Sequence, residues 1–464
     1  MSDLNIENLP EGWTSARIDK TCDVNPRINK AEISDDLLVS FVPMPAVGPG
    51  DGSIDVSQER LASEVKKGFT AFKQGDVLFA KITPCMENGK MAVVPKVTNG
   101  YGFGSTEFHV LRPKEGVEAR YVYYYVSSQN FRGVAERYMT GAVGQKRVST
   151  TYLKEQKIPL APPEQQKRIV AEIEKQFSRL DEAVAYLKRV KANLKRYKAA
   201  VLKAAVEGKL TEEWRKQHPD VEPADNLLER ILAERRESWQ GRGKYKEPVA
   251  PDATDLPELP EGWVWTCIDT VTDMMSGHAF KKAEYSEDGV RLLQIANVSF
   301  GYTKWEEIEH LPEEYMSQWA HLLLKEGDVL MALNRPLLSR ELKIAQLGSK
   351  DVPAILYQRV GKFLFYVNDV ADYFLMFMQS PYYINTLESQ LQGVNIPFIN
   401  KGKLLSTPFP LPISLDEMKV VVDEVSSKLS VLKIADDEIE KNLKRVGRLR
   451  QSILKKAFSG ELTR

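Results

Sequence analysis

At 464 residues the chain is longer than one hydrophobic core usually organises, so two or more domains are expected. Hydrophobic residues make up 43% and charged residues 28%, with a formal net charge of +0. That describes a globular protein and excludes a generally basic nucleic-acid coat, while leaving local basic patches open. No apolar run approaches the roughly 18 residues of a membrane span, the polar N-terminus does not read as a signal peptide, and Cys22, Cys85 and Cys267, with no CxxC pair, suit a reducing cytoplasm better than a disulfide framework or a zinc site.

Residues 1–157 read as a first globular domain of short strands and turns. SFVPM (40–44) is a predicted strand, followed by the turn-rich AVGPGDG (46–52). GDVLFAKI (75–82) is a predicted buried strand after a Gly-Asp turn, TPCMENGK (83–90) a polar loop, and MAVV (91–94) a returning strand. ARYVYYYVSS (119–128) reads as a helix buried against the sheet. TGAVGQKRVS (140–149) reads as a loop tipped by Gln145, Lys146 and Arg147.

Residues 158–211 predict a long helix. Ile173, Phe177, Leu180, Val184, Leu187, Val190, Leu194, Tyr197 and Val201 recur at steps of three or four, the seam of a packed rod. Pro163 suits the first helical position, where no donor is needed, and Gly208 suits the far end. A rod of about 43 residues is roughly 65 Å long, and one so striped needs a partner. Residues 212–258 then hold a short amphipathic helix around 227–239 and a Pro-, Gly- and charge-rich linker.

Residues 259–408 read as a second globular domain. The strand GDVLMAL (327–333) leads into the loop NRPLLSRELK (334–343), YFLMFMQS (373–380) is a buried helix, and LQGVNIPFINKGK (391–403) is a second loop. Residues 409–464 hold a second long helix, about 415–458, with Met418, Val421, Val425, Leu429, Leu432, Ile439, Leu443, Val446 and Ile453 as its seam. Ser414 and Glu417 form a candidate capping box at its start.

The two halves repeat each other. LPEGW occurs at 9–13 and 259–263, GDVLFA (75–80) returns as GDVLMA (327–332), IPLAPP (158–163) as FPLPIS (409–414), and VLKAAVEGKLT (201–211) as ILKKAFSGELT (453–463). The order is kept and the shifts nearly agree (259 − 9 = 250, 327 − 75 = 252, 409 − 158 = 251, 453 − 201 = 252). The expected fold is therefore α+β: a tandem duplication of an α/β domain followed by a long helix. Each helix is acidic first and basic last; from Lys188 to Lys203 the first carries bases and no acid. Macrodipole preference fades within a turn, so runs of this length point to an antiparallel coiled coil that sets each basic half beside an acidic half.

Catalytic signatures do not emerge. There is no Asn/Asp-Pro-Pro-aromatic methylase motif and no GxxxxGK[ST] phosphate loop. Asp51 followed by Glu64-Val65-Lys66 has the acid-then-ExK order of a magnesium nuclease, but such spacing arises readily in a chain this charged. His109, His218, His278, His310 and His321 lack metal or triad spacing and read as scattered surface or core histidines. The alternatives kept open are a protein-only coiled-coil scaffold and, below it, the nuclease.

What remains is recognition. Two related domains on antiparallel rods would carry a pseudo-twofold that matches a duplex, and the loops hold residue types that pair with base edges. The candidates are Lys81, Thr83, Asn88, Lys90, Gln145, Lys146 and Arg147 in the first domain. In the second they are Asn334, Arg335, Arg340, Lys343, Asn395, Asn400 and Lys401. The duplicated LPEGW and GDVL motifs, the helix start PLAPPEQQKRIV (159–170) and the paired GKLT/GELT ends resemble the specificity subunit of a type I restriction-modification enzyme over essentially the whole chain. The second helix start departs from that pattern, since PLPISLDEMKVV (410–421) lacks the double proline and the EQ pair.

The resemblance implies two target-recognition domains, each reading one half of a split asymmetric site on double-stranded DNA. The helices would act as spacer and docking surface for two modification subunits, and restriction subunits with motor and nuclease activity would join that core. It also implies a non-catalytic cytoplasmic chain without a cofactor of its own. S-adenosylmethionine would belong to the modification subunits, and ATP and Mg2+ to the restriction subunits.

Overall fold

The computed structural model describes residues 9–142, 144–221, 223–239, 244–254 and 256–463. The chain divides into two compact units, Met1–Arg189 with Glu438–Arg464, and Val190–Asp437.

In the first unit the GDVL strand, Val77–Ala80, is wholly buried at the centre of an antiparallel sheet ordered Cys22–Val24, Phe108–Pro113, Val77–Ala80, Met91–Val93. Leu78 stands opposite Val110 on one side and Ala92 on the other. A second sheet runs Glu59–Leu61, Leu38–Val42, Gly102–Gly104, Thr70–Phe72, with Leu38–Val42 parallel to Gly102–Gly104. The strand expected at 40–44 thus lies two residues earlier. Pro43, which has no N–H for a ladder, ends it and leads into the 3-10 turn Met44–Ala46. Gly102 is required where it is, because a Cβ there would overlap the Phe72 ring.

The Tyr-rich segment is helical over Ala119–Ser127 and buries every residue from Tyr121 to Val126. Its phenols anchor the strand that leads to the long helix: Tyr121 donates to the Pro159 carbonyl and Tyr125 to that of Lys157, both at 2.6 Å. That strand, Lys157–Leu160, pairs antiparallel with Thr14–Arg17.

The first long helix spans Pro163–Val206. In this unit Ile169, Val170 and Ile173 join a core with Leu454, Ala457 and Phe458 of the second long helix, Leu415–Phe458. Phe458 meets Tyr121 and Tyr125 edge-on, each at 5.1 Å. Arg450 lies over the Phe177 ring at 4.9 Å and pairs with Asp181. Just past the helix, Gly460 turns left-handed (φ +76) against Pro10 of the first LPEGW, where a side chain would collide.

The second unit uses the same devices. Val329–Ala332 is wholly buried in an antiparallel sheet ordered Thr272–Ser276, Val360–Phe365, Val329–Ala332, Ile344–Gln346. A companion sheet runs Glu309–Leu311, Val290–Leu293, Ala354–Leu356, and contains the one parallel pair of this unit's described strands, Val290–Leu293 with Ala354–Leu356. Val264–Cys267 pairs with Pro408–Leu411, and the helix Ala371–Met378 packs on the sheet. Val201, Leu202, Ala205 and Val206 share a core with Met418, Val421 and Val425, and Lys191 reaches Asp436 at 3.7 Å. Gly208 (φ +64) lies against Pro260 of the second LPEGW as Gly460 lies against Pro10.

Further expectations need correction. The short amphipathic helix starts earlier, at Ala224–Glu237 behind Pro223, and buries Leu227 and Ile231. Residues 334–343 are not simply a loop, because Leu337–Leu338 and Glu341–Leu342 form a tight hairpin. Tyr197 is 52% exposed and does not belong to the seam. The stripe is buried at Ile173, Val201, Met418, Val421, Val425, Ile439 and Val446, and half-buried at Leu180, Val184, Leu187 and Val190.

The second long helix also starts differently from a simple capping box. Ser414 Oγ accepts from the Glu417 N–H at 3.1 Å, but the Glu417 carboxylate reaches back to the Ile413 N–H at 3.1 Å. It is fully buried, and it also accepts from Trp263 Nε1 at 2.8 Å, Thr211 Oγ1 at 2.7 Å and Arg215 at 2.6 Å.

Candidate nucleic-acid interface

In each unit one candidate loop leaves the end of the GDVL strand, and backbone hydrogen bonds join the second, later loop to it. In the first unit Ile82 bridges Arg147, Thr83 N–H donates to the Lys146 carbonyl at 3.0 Å, and Val148 N–H donates to Lys81 at 2.8 Å. In the second unit Asn334 bridges Phe398, Arg335 N–H donates to Pro397 at 2.6 Å, and Ile399 N–H donates to Leu333 at 3.1 Å. Segments some 60 residues apart in sequence thus form one surface on each unit.

The candidate residues divide by what already occupies them. Gln145, Lys146 and Asn88 are exposed. Thr83 donates its hydroxyl to Glu87 at 2.9 Å, and Lys90 donates to the Met44 carbonyl at 3.1 Å. Lys81 is half-buried and tied through its backbone to Glu107 and Val148. Arg147 is engaged: its guanidinium forks onto Glu107 at 2.9 and 3.0 Å, which holds that carboxyl below the usual range. Arg147 closes the loop, and its fork is not free for a guanine.

In the second unit Arg335 sits in the left-handed region (φ +47), and its guanidinium reaches the Asn395 carbonyl at 3.4 Å, across the loop tip. Arg340, also left-handed (φ +63), is held by Asn385 and, at 3.3 Å, by Glu388. Lys343 is half-buried, with its N–H on Pro336. Asn400 caps the helix Lys401–Leu405 through its side-chain oxygen, accepting from Lys403 N–H at 2.9 Å, and Lys401 pairs with Asp273 at 2.6 Å. Asn395 is exposed at the tip, and Asn334 is half-buried beneath it.

The nuclease arrangement finds no support. Asp51 accepts from the Ser53 N–H and hydroxyl, and Lys66 donates to Asp35 at 2.8 Å. Among the described residues no group of three or more His, Cys, Asp or Glu is placed to hold a metal ion, and no helix is long and apolar enough to cross a membrane.

Comparison with known proteins decides the family. The EcoAI specificity subunit of a type I restriction enzyme from Escherichia coli is 32% identical over 474 aligned positions, covering 92% of this chain and 79% of that one. The chain belongs to the type I restriction enzyme specificity subunits. Residues 10–196 match the type I restriction modification DNA specificity domain. The MjaVIII specificity subunit of Methanocaldococcus jannaschii is 38% identical over 42% of this chain and 46% of its own. In fold the chain is similar to a structure solved for complex assembly and conformational transition of a type I restriction-modification system, with a TM-score of 0.69 at 21% identity over 98% of this chain and 99% of that one. It is also similar to an HsdS subunit from Thermoanaerobacter tengcongensis, with a TM-score of 0.52 at 19% identity over 98% of each chain. As a specificity subunit, this is a non-catalytic, DNA-recognising component of a restriction-modification complex.

The residues that hold the loops of this specificity subunit carry no sequence signature. His109 had no motif around it. It is buried with Nε2 2.8 Å from the Val148 carbonyl and Nδ1 3.1 Å from the Asn25 amide, so it bridges the sheet to the second loop. Burial lowers its pKa, and the neutral ring with hydrogen on Nε2 fits both bonds. Glu107 was equally unmarked. Its signal exists only in three dimensions, as the carboxylate facing Arg147.

Proposed function

We propose that each unit's loop pair reads one half of a split, asymmetric DNA target. The observation that carries this reading is the bridging of the two loops in each unit, Ile82 to Arg147 and Asn334 to Phe398, at equivalent ends of equivalent strands. Two surfaces on one scaffold, with different residues on each, suit two different half-sites. The tandem duplication is supported by the matching strand order of the GDVL-containing sheets and by Trp13 and Trp263, which each donate to the side chain 152 or 154 residues on (165 − 13 = 152, 417 − 263 = 154), Gln165 at 3.1 Å and Glu417 at 2.8 Å.

The long helices serve as an antiparallel coiled-coil spacer in this reading. The opposite-charge pairs Asp181–Arg450 and Lys191–Asp436 support that pairing. The exposed helix faces would dock two modification subunits, which carry S-adenosylmethionine, with restriction subunits using ATP and Mg2+ joining them. DNA footprinting of the full chain with its modification partner tests the reading. Two protected segments separated by an unread spacer are expected; a single continuous, sequence-independent footprint would reject it.

A further inference from the structure

The second unit's reading surface carries apolar side chains for which the fold has no use. Val394 is 97% exposed, and Leu338, Ile396 and Phe398 are 58%, 46% and 38% exposed, all on the two loops that the Asn334–Phe398 bridge joins. Scattered exposed apolar residues are ordinary. These stand on a braced tip: Gln392 and Phe398 exchange both backbone hydrogen bonds, at 2.9 and 2.8 Å, and close residues 393–397 into a short turn. Arg335 then holds that turn through its N–H on Pro397 and its guanidinium on the Asn395 carbonyl. Three non-glycine residues in the partner loop, Arg335, Ser339 and Arg340, adopt left-handed backbone, a conformation that costs free energy and clusters at functional sites. A rigid loop therefore presents a β-branched side chain to solvent, next to Asn395.

We infer that Val394 is a base-reading residue of the second unit, its methyls packing on the 5-methyl group of a thymine in the major groove while Asn395 approaches a neighbouring polar edge. Thymine is the base that offers an apolar group in that groove, and valine has no hydrogen bond to give any other. The inference rests on the proposal that this loop pair reads DNA. Among the described residues, the first unit's loop exposes the polar side chains of Gln145 and Lys146.

The test uses the full chain with its modification partner on duplexes carrying the mapped target. Each thymine of the second unit's half-site is replaced in turn by deoxyuridine, which removes only the 5-methyl group. One position should lower wild-type methylation about four- to fifteenfold, the range set by losing one to two buried methyl groups. Val394→Ala and Val394→Thr should show a similar loss on the thymine duplex and no further loss on the uracil duplex. Additive losses, an unchanged rate for Val394→Ala, or a half-site without thymine would overturn the inference. If wild type methylates duplexes with the whole half-site scrambled as fast as the target, the DNA-reading proposal itself fails.

Discussion

Trp263 Nε1 donates to the buried Glu417 carboxylate at 2.8 Å, tying the second LPEGW motif to the first turn of the second long helix. Its counterpart, Trp13, makes the same bond at 3.1 Å to a neutral amide, Gln165. The two joints differ in charge, and the charged one has recruited Arg215 and Thr211 on Oε1, while Ile413 N–H shares Oε2 with Trp263.

Glu417→Ala should therefore be far more damaging than Gln165→Ala. The former leaves Arg215 with its side chain mostly buried and unpaired, at a cost of about 3–5 kcal/mol. The latter removes one neutral hydrogen bond, about 1 kcal/mol. Urea denaturation of the full chain followed by tryptophan fluorescence measures both, and equal losses would show that the extra partners of Glu417 add nothing.

Gln145→Ala and Asn395→Ala should each weaken cognate binding by about 1–3 kcal/mol, with the loss confined to one half-site. Arg147→Ala should behave differently. It frees Glu107 and opens the first loop, so all contacts of that loop weaken together. Competition binding against duplexes altered in either half separates the two patterns. A Gln145→Ala loss that is equal on cognate and unrelated DNA would place that side chain on phosphate.

His109 predicts a pH dependence. Its pKa in the folded state is lowered from 6.5 by burial, so the unfolded chain binds the proton more readily. Stability then rises with pH, and this contribution is complete above about pH 6.5 and is lost as pH falls through that value. The first loop pair, held by the His109–Val148 bond, should lose amide-exchange protection, measured against the intrinsic rate at each pH, below about pH 6. His109→Gln should flatten that profile, and an unchanged profile would mean another group is responsible.

Much of the frame was legible. Pro163 and Gly208 bracket the first long helix because one needs no donor and the other tolerates φ +64. GDVL reads as a buried strand in both halves because four apolar residues follow a turn. The site was legible only as a choice of loops. Arg147, Asn400 and Lys401 have the chemistry of base or phosphate readers, but Glu107, the start of a helix and Asp273 occupy them. Those partners lie 40, 3 and 128 residues away in sequence (147 − 107, 403 − 400, 401 − 273), and spacing alone does not show which pairs converge. Glu417 looked like half of a capping box because Trp263 and Arg215 reach it only through the fold.

If the long helices set the separation of the two readers, their length sets the spacer in the target. Four residues inserted near Arg189 add roughly 6 Å and nearly preserve the stripe. With about 3.4 Å per base pair along each strand, the preferred spacer should lengthen by one or two base pairs with both half-sites unchanged. Two inserted residues turn the stripe by about 200° and should do worse, because Leu194 and Val201 then leave their face. Methylation of duplexes differing only in spacer length reads this directly, and an unchanged optimum in the folded four-residue variant would mean that the helices are not the spacer.

The most direct measurement is genome-wide mapping of methylated sites in cells carrying the complete system, first with the wild-type chain and then with residues 9–157 exchanged for those of a relative. Two half-sites, each read by one unit, predict that the hybrid acquires one new half-site and keeps the other and the spacer length. A folded, active hybrid whose target changes in both halves would contradict independent reading by the two units.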